Sequence, residues 1–169
     1  MNNVTKAPLM KRGSTHFLRF TTFLFGIVVL AICIFGLPSM YRGGSEEFPD
    51  ASQSLLITMG ILYATAVPFF FALWQTLKLL RSIDQDAAFS ESSVKALRNI
   101  KYSAITMTVL YLACVPFLIP IAEADDAPGL VPIGAVFACS PLVIAVFAAV
   151  LQRLLQSAID IKSENDLTV

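Results

Sequence analysis

Four long stretches of this chain carry no charge. Residues 20–37, 55–77, 102–122 and 130–151 contain no Asp, Glu, Lys, Arg or His. A helix needs about 20 apolar residues to cross a hydrocarbon core of ~30 Å. Lipid offers no partners for backbone N–H and C=O groups, so each stretch has to cross as a helix. The pattern predicts an all-α fold, a four-span transmembrane helix bundle. The spans fall near 18–38, 54–80, 100–122 and 130–155, followed by a tail at 156–169. Composition agrees, with 14% charged residues where soluble domains carry about 25%. Four spans and their loops leave no room for a separate soluble domain, so a single membrane domain is expected.

The charges between the spans are sorted. Lys6, Lys11, Arg12, Arg19, Lys78, Arg81, Lys95, Arg98, Lys101, Arg153 and Lys162 belong to the N-tail, the loop between spans two and three, and the C-tail. The opposite loops hold only Arg42. Lys and Arg stay on the cytoplasmic side, so both termini are predicted to be cytoplasmic. A secretory signal peptide is the competing reading of span one. Its apolar run is longer than an h-region, and Gly36-Leu37-Pro38-Ser39 is a poor cleavage site. The span is therefore expected to remain.

Local signals place the loops. The first outer loop, Pro38 to about Ser52, has Gly43-Gly44 and Pro49-Asp50 and is expected to be mostly irregular. The second, 123–129, is short and forces spans three and four into a hairpin. In the cytoplasmic loop Ser90 suits an N-cap, Phe89 can staple onto Val94, and Glu91 stands four residues before Lys95. Val94, Leu97 and Ile100 recur every three residues, as do Lys95, Arg98 and Lys101 one step on. A short amphipathic helix is predicted to begin at Ser90 and feed into the third span, its apolar stripe on the bilayer and its cations toward lipid phosphates or a partner. Trp74 and Tyr102 fall at interfacial depths.

Packing can be read from small residues. Gly60, Ala64, Pro68 and Ala72 recur every four residues in span two, and Gly134, Ala138, Ala145 and Ala149 mark one side of span four. Small residues let helices approach closely in lipid, so both rows are expected to face the interior. Closure of the bundle and pairing with a second copy both remain open. Pro68, Pro116, Pro120 and Pro141 interrupt the spans and tend to kink helices. Tyr63 and Tyr111 each open a Y-x-x-x-V-P-F pattern, which an inverted repeat of the transporter kind would give, but which relates adjacent spans and is read first as coincidence or a shared kink device.

Chemistry is thin. Proton relays in membranes use ionisable residues, and the spans have none. The only histidine is His16, in the basic N-tail, and is read as interfacial. Ser140, Cys139 and Thr65 have no neighbouring base for nucleophilic catalysis. Cys33, Cys114 and Cys139 form no C-x-x-C pair. No catalytic, cofactor or metal site is assigned, and direct nucleic-acid binding is not expected. Glu46, Glu47, Asp50, Glu123, Asp125 and Asp126 in the outer loops offer oxygens suited to a hard cation, but read first as a solvated rim. The last helix is expected to run to about Lys162. Beyond it Glu164-Asn165-Asp166 breaks the pattern and Leu167-Thr168-Val169 favours a strand, either frayed or added to a partner's sheet.

The segment Phe89-Ser-Glu-Ser-Ser-Val-Lys-Ala-Leu-Arg-Asn-Ile-Lys-Tyr102, running into a span, and the ending Glu164-Asn-Asp-Leu-Thr-Val169 resemble a bacterial family of four-helix membrane proteins of unknown function. The resemblance covers span two onward. It implies a bacterial cytoplasmic membrane, and a gene neighbourhood with small Cro/CI-type helix-turn-helix regulators. It carries no catalytic residues. Two roles follow as expectations. One is a non-enzymatic regulatory protein contacting a cytoplasmic partner through Lys95, Arg98, Lys101, Asp166, Leu167 and Val169. The other is a small transporter or channel for a neutral or lipid-like solute.

Overall fold

A computed structural model describes residues 7–85 and 87–167, with side chains over 15–85 and 87–164. Five α-helices account for nearly all of it: α1 (Ala7–Ala31), α2 (Leu37–Glu47), α3 (Ser52–Asp84), α4 (Glu91–Ala124) and α5 (Leu130–Leu167). Four helical stretches are long and apolar enough to cross a membrane: Thr15–Glu47, Pro49–Asp84, Glu91–Ala124 and Leu130–Glu164. Their antiparallel order puts the start of α1, the 85–90 link and the end of α5 at one end, the basic end. The 48–51 and 125–129 links form the acidic end.

Span one differs from its sequence reading. The segment expected to be an irregular loop is helical, and α1 passes into α2 through one π-helical turn, Ile32–Gly36. Pro38 is the physical cause. A proline can donate no hydrogen bond and its ring crowds the preceding turn. One extra residue in the turn absorbs both faults: Leu37 N–H reaches back five residues to the Ile32 carbonyl. The acidic-end link keeps only a short 3-10 turn, Pro49–Ala51.

The segment after Ser90 and the third span are one element: α4 runs unbroken from Glu91 through Pro116 and Pro120 to Ala124. Ser90 is its N-cap by backbone geometry, but the Ser90 hydroxyl pairs with the Ser92 and Ser93 hydroxyls at 3.2 Å. Val94 and Leu97 are buried. The stripe expected on the bilayer is therefore taken up inside the protein, and Phe89 stays exposed. The tail departs from expectation as well. Helix α5 continues through the supposed breaker to Leu167; Thr168 and Val169, the rest of the segment read as strand-prone, lie outside the described residues.

The interior is small and polar, and the exterior large and apolar. Buried residues include Ala96, Ala104, Ala138, Ala145 and Ala148 with Thr58, Thr65, Ser103 and Thr108. Phe20, Phe35, Val67, Trp74, Val136 and Phe147 face outward. In water such an exterior would aggregate; in lipid, close approach of small residues drives packing.

The helices pack in chain order rather than as a closed bundle. α4 packs along both α3 and α5, span one packs on α3, and neither α3 nor span one packs extensively on α5 among the described residues. Span one is peripheral: 6% of its most apolar window is buried, against 22% in the last span. Three contacts seven residues apart along span one join it to α3. Arg19 pairs with Asp84 at 3.0 Å, Gly26 abuts Leu73 and Phe70, and the Cys33 carbonyl accepts from the Tyr63 hydroxyl at 2.7 Å.

The hairpin between α4 and α5 has a defined cap. Ala127 N–H bonds the Ala122 carbonyl and Asp126 N–H points to the Glu123 carbonyl, the six-to-one and five-to-two pattern of a Schellman motif. Asp126 takes the left-handed position at φ 49°, where aspartate is tolerated better than most residues.

Candidate functional site

The basic end is built from surplus helix length. At 1.5 Å per residue, α4 and α5 are roughly 51 and 57 Å long, well beyond a ~30 Å hydrocarbon core. Their acidic-end turn is short, so the excess projects at the basic end. There the two helices are tied together. Lys101 Nζ donates to Gln152 Oε1 at 3.2 Å and lies 4.9 Å from the Tyr102 ring centre. Gln156 Nε2 donates to Glu91 Oε1 at 3.3 Å and to Asp160 Oδ1 at 3.1 Å. Lys95 and Arg98 are exposed and pair with no described residue. Of the six residues singled out for partner contact, Lys95, Arg98 and Lys101 thus lie on one projection. The side chains of Asp166 and Leu167, and all of Val169, lie outside the described residues.

The small-residue rows divide. In α5, Ala138 and Ala145 are buried, Gly134 and Ala149 are half-buried, and a Cβ on Gly134 would stand 2.5 Å from Leu118 Cδ1. In α3, Gly60 and Ala64 are exposed, with nothing within 4 Å of a Gly60 Cβ. Pro68 and Ala72 are half-buried. A row of period four drifts about 40° per step round a helix of 3.6 residues per turn. It starts on the outer face and reaches the interior only at its far end. The buried face of α3 carries Thr58 and Thr65 instead, seven residues apart.

Because α3 and α5 diverge, the interior is not filled. A cavity of about 530 Å³ takes walls from all four spans, among them Cys33, Thr65, Ala72, Met107, Tyr111 and Pro141. A second, half-enclosed cavity of about 360 Å³ lies between α3, α4 and α5, toward the acidic end. Thr58, Leu62, Tyr111, Cys114, Leu118, Phe137 and Ser140 contribute to its wall. Leu62, Tyr111 and Ser140 belong to both. No Asp, Glu, Lys, Arg or His lines either cavity.

Several hydroxyls around the cavities are satisfied within their own turn. Thr65 bonds the Leu62 carbonyl, Thr108 the Ala104 carbonyl, Ser103 the Asn99 carbonyl and Ser140 the Phe137 carbonyl. The Thr58 oxygen is buried with no hydrogen-bond partner among the described residues. The Cys114 thiol faces it, but a thiol is a weak partner. Sequence reasoning passed over Thr58. The available signal was hydroxyl residues at heptad spacing in a span.

Among the described residues no three His, Cys, Asp or Glu side chains converge in metal-holding geometry. Cys33, Cys114 and Cys139 are free thiols.

No solved structure matches the chain. It is 52% identical over 160 residues to the uncharacterized membrane protein YoaS of Bacillus subtilis (strain 168), covering 95% of this chain and 100% of that one. Residues 39–169 match the family model described as "Protein of unknown function (DUF2975)", which starts within α2 and takes in both stretches that carried the resemblance. With four apolar helices and these relatives, the chain is a membrane protein belonging to the DUF2975 family.

Proposed function

We propose that this is a non-enzymatic regulatory protein of the bacterial cytoplasmic membrane, with both termini in the cytoplasm, that docks a cytoplasmic partner. The observation supporting it is the paired projection of α4 and α5 at the basic end. Gln156 bridges Glu91 and Asp160, which makes one surface of two segments far apart in sequence. Lys95 and Arg98 present cations on it that pair with no described residue. Those cations suit an acidic patch on a soluble protein, such as a small helix-turn-helix regulator. Co-purification in mild detergent tests the reading. A Lys95→Glu, Arg98→Glu double variant is expected to lose a partner that the unaltered protein retains. Equal recovery from both rejects it. A reporter fused after Val169 that is active only outside the cell rejects the orientation.

The cavity walled by all four spans supports a second reading, passage of a neutral or lipid-like solute. Flux in reconstituted vesicles, reduced by Pro68→Ala or Pro141→Ala, tests it.

A further inference from the structure

We propose that the cavity between α3, α4 and α5 is a binding site for a neutral lipophile carrying a single hydroxyl or carbonyl group, which the Thr58 hydroxyl anchors. The proposal holds whether or not a partner docks at the basic end and whether or not a solute crosses.

Three observations carry it. First, Thr58 is 6% exposed, lines the cavity, and its oxygen has no nitrogen or oxygen partner among the described residues, the Cys114 thiol beside it being only a weak partner. A hydroxyl in a membrane helix ordinarily bonds back to its own turn, as Thr65, Thr76 and Thr108 do here. A buried polar group left unmatched is costly, so an external oxygen is the natural complement. Second, the rest of the wall is mostly apolar and carries no ionised side chain. A charged headgroup would be buried without a counter-ion. A wholly apolar chain would leave Thr58 unmatched. Third, about 360 Å³ lies within the range of small-molecule sites and far exceeds the ~30 Å³ of one water. Water on Thr58 would leave most of the space unfilled. Tyr111, whose hydroxyl bonds no described residue, stands in the same wall as a second donor.

The experiment uses the full chain in lipid nanodiscs with four photoreactive probes of equal chain length: a fatty alcohol, a methyl ketone, an alkane and a fatty acid. Labelling yield is measured and the modified peptides are mapped. The alcohol and ketone are expected to label residues of the cavity wall about tenfold more than the alkane or the ionised acid, the ratio one buried hydrogen bond supplies. Thr58→Val, which removes the hydroxyl at nearly constant shape, is expected to bring alcohol labelling down to the alkane level. Thr58→Ser is expected to restore it. Equal labelling by alcohol and alkane in the unaltered protein overturns the proposal. So does undiminished alcohol labelling of Thr58→Val, or label confined to lipid-facing residues such as Val136. If Thr58→Val fails to fold, the four-probe comparison on the unaltered protein decides alone.

Discussion

The Tyr63 hydroxyl donates to the Cys33 carbonyl across 2.7 Å, and Pro38 is the reason that carbonyl is available. In the π-helical turn Leu37 N–H is committed to Ile32. The next donor in register would be residue 38, which is proline. The Cys33 carbonyl is thus left without a partner in its own helix, in a region where no water can replace one. An unmatched backbone group there is costly. Tyr63, from the neighbouring span, supplies the missing donor and fixes where span one leans on α3. Tyr63→Phe is expected to lower stability by about 1–2 kcal/mol, read as a lower midpoint of thermal unfolding in detergent. Pro38→Ala restores a backbone donor. The Tyr63→Phe cost is therefore expected to shrink in that background, and a double-mutant cycle measures the difference. Equal costs in both backgrounds would show that Pro38 does not create the demand.

The two glycines of the small-residue rows make opposite demands. A Cβ at Gly134 would press on Leu118 Cδ1, while Gly60 has open space. Gly134→Val is expected to destabilise by about 1–3 kcal/mol, the usual range for overpacking. Gly134→Ala should cost less, since the atom displaced is the end of a flexible side chain. Gly60→Ala is expected to be neutral or to stabilise by up to about 1 kcal/mol, because alanine favours the helix more than glycine does. Unfolding midpoints of the three variants check the order.

These contrasts mark what the sequence could disclose. Charge-free length determined the four spans, because lipid tolerates little else. Periodicity alone misassigned the α3 row: Gly60 and Ala72 share a spacing, but a period of four carries them onto different faces. The end of span one was misread at Pro38, because a proline reads as a stop unless a π-helical turn absorbs it. The amphipathic stripe at Val94 and Leu97 was correct in phase, but its apolar side met protein rather than lipid. Thr58 was invisible for a different reason. Whether a hydroxyl is satisfied depends on which groups neighbouring helices bring to it, and that is a property of the packed spans.

The ion pair at the basic end is expected to contribute little stability. Arg19 and Asp84 are about a third and a quarter exposed, and pairs of that kind give about 0–1 kcal/mol. Its effect should be local. Arg19→Ala is expected to raise amide hydrogen exchange in the first turns of span one beyond Thr15, with α4 and α5 unchanged. The charge swap Arg19→Asp with Asp84→Arg should restore protection. Faster exchange throughout the chain would instead make the pair a support for the whole fold.

Gln156 connects the end of α5 to the start of α4, because one amide donates to both Glu91 and Asp160. These bonds are exposed, so Gln156→Ala is expected to cost under about 1 kcal/mol of overall stability. The end of a helix with few buried contacts opens most readily, and losing the bridge should show there first. Limited proteolysis after the basic residues Arg153 and Lys162 is expected to accelerate several-fold, while cleavage after Arg81, at the end of α3, stays constant. Lys101, paired with Gln152 one turn nearer the bilayer, should still hold the helices together at that level. The double variant Gln156→Ala, Gln152→Ala is therefore expected to extend faster exchange back to about residue 150. If the single variant already does so, the two ties are not independent, and the projection opens as one unit.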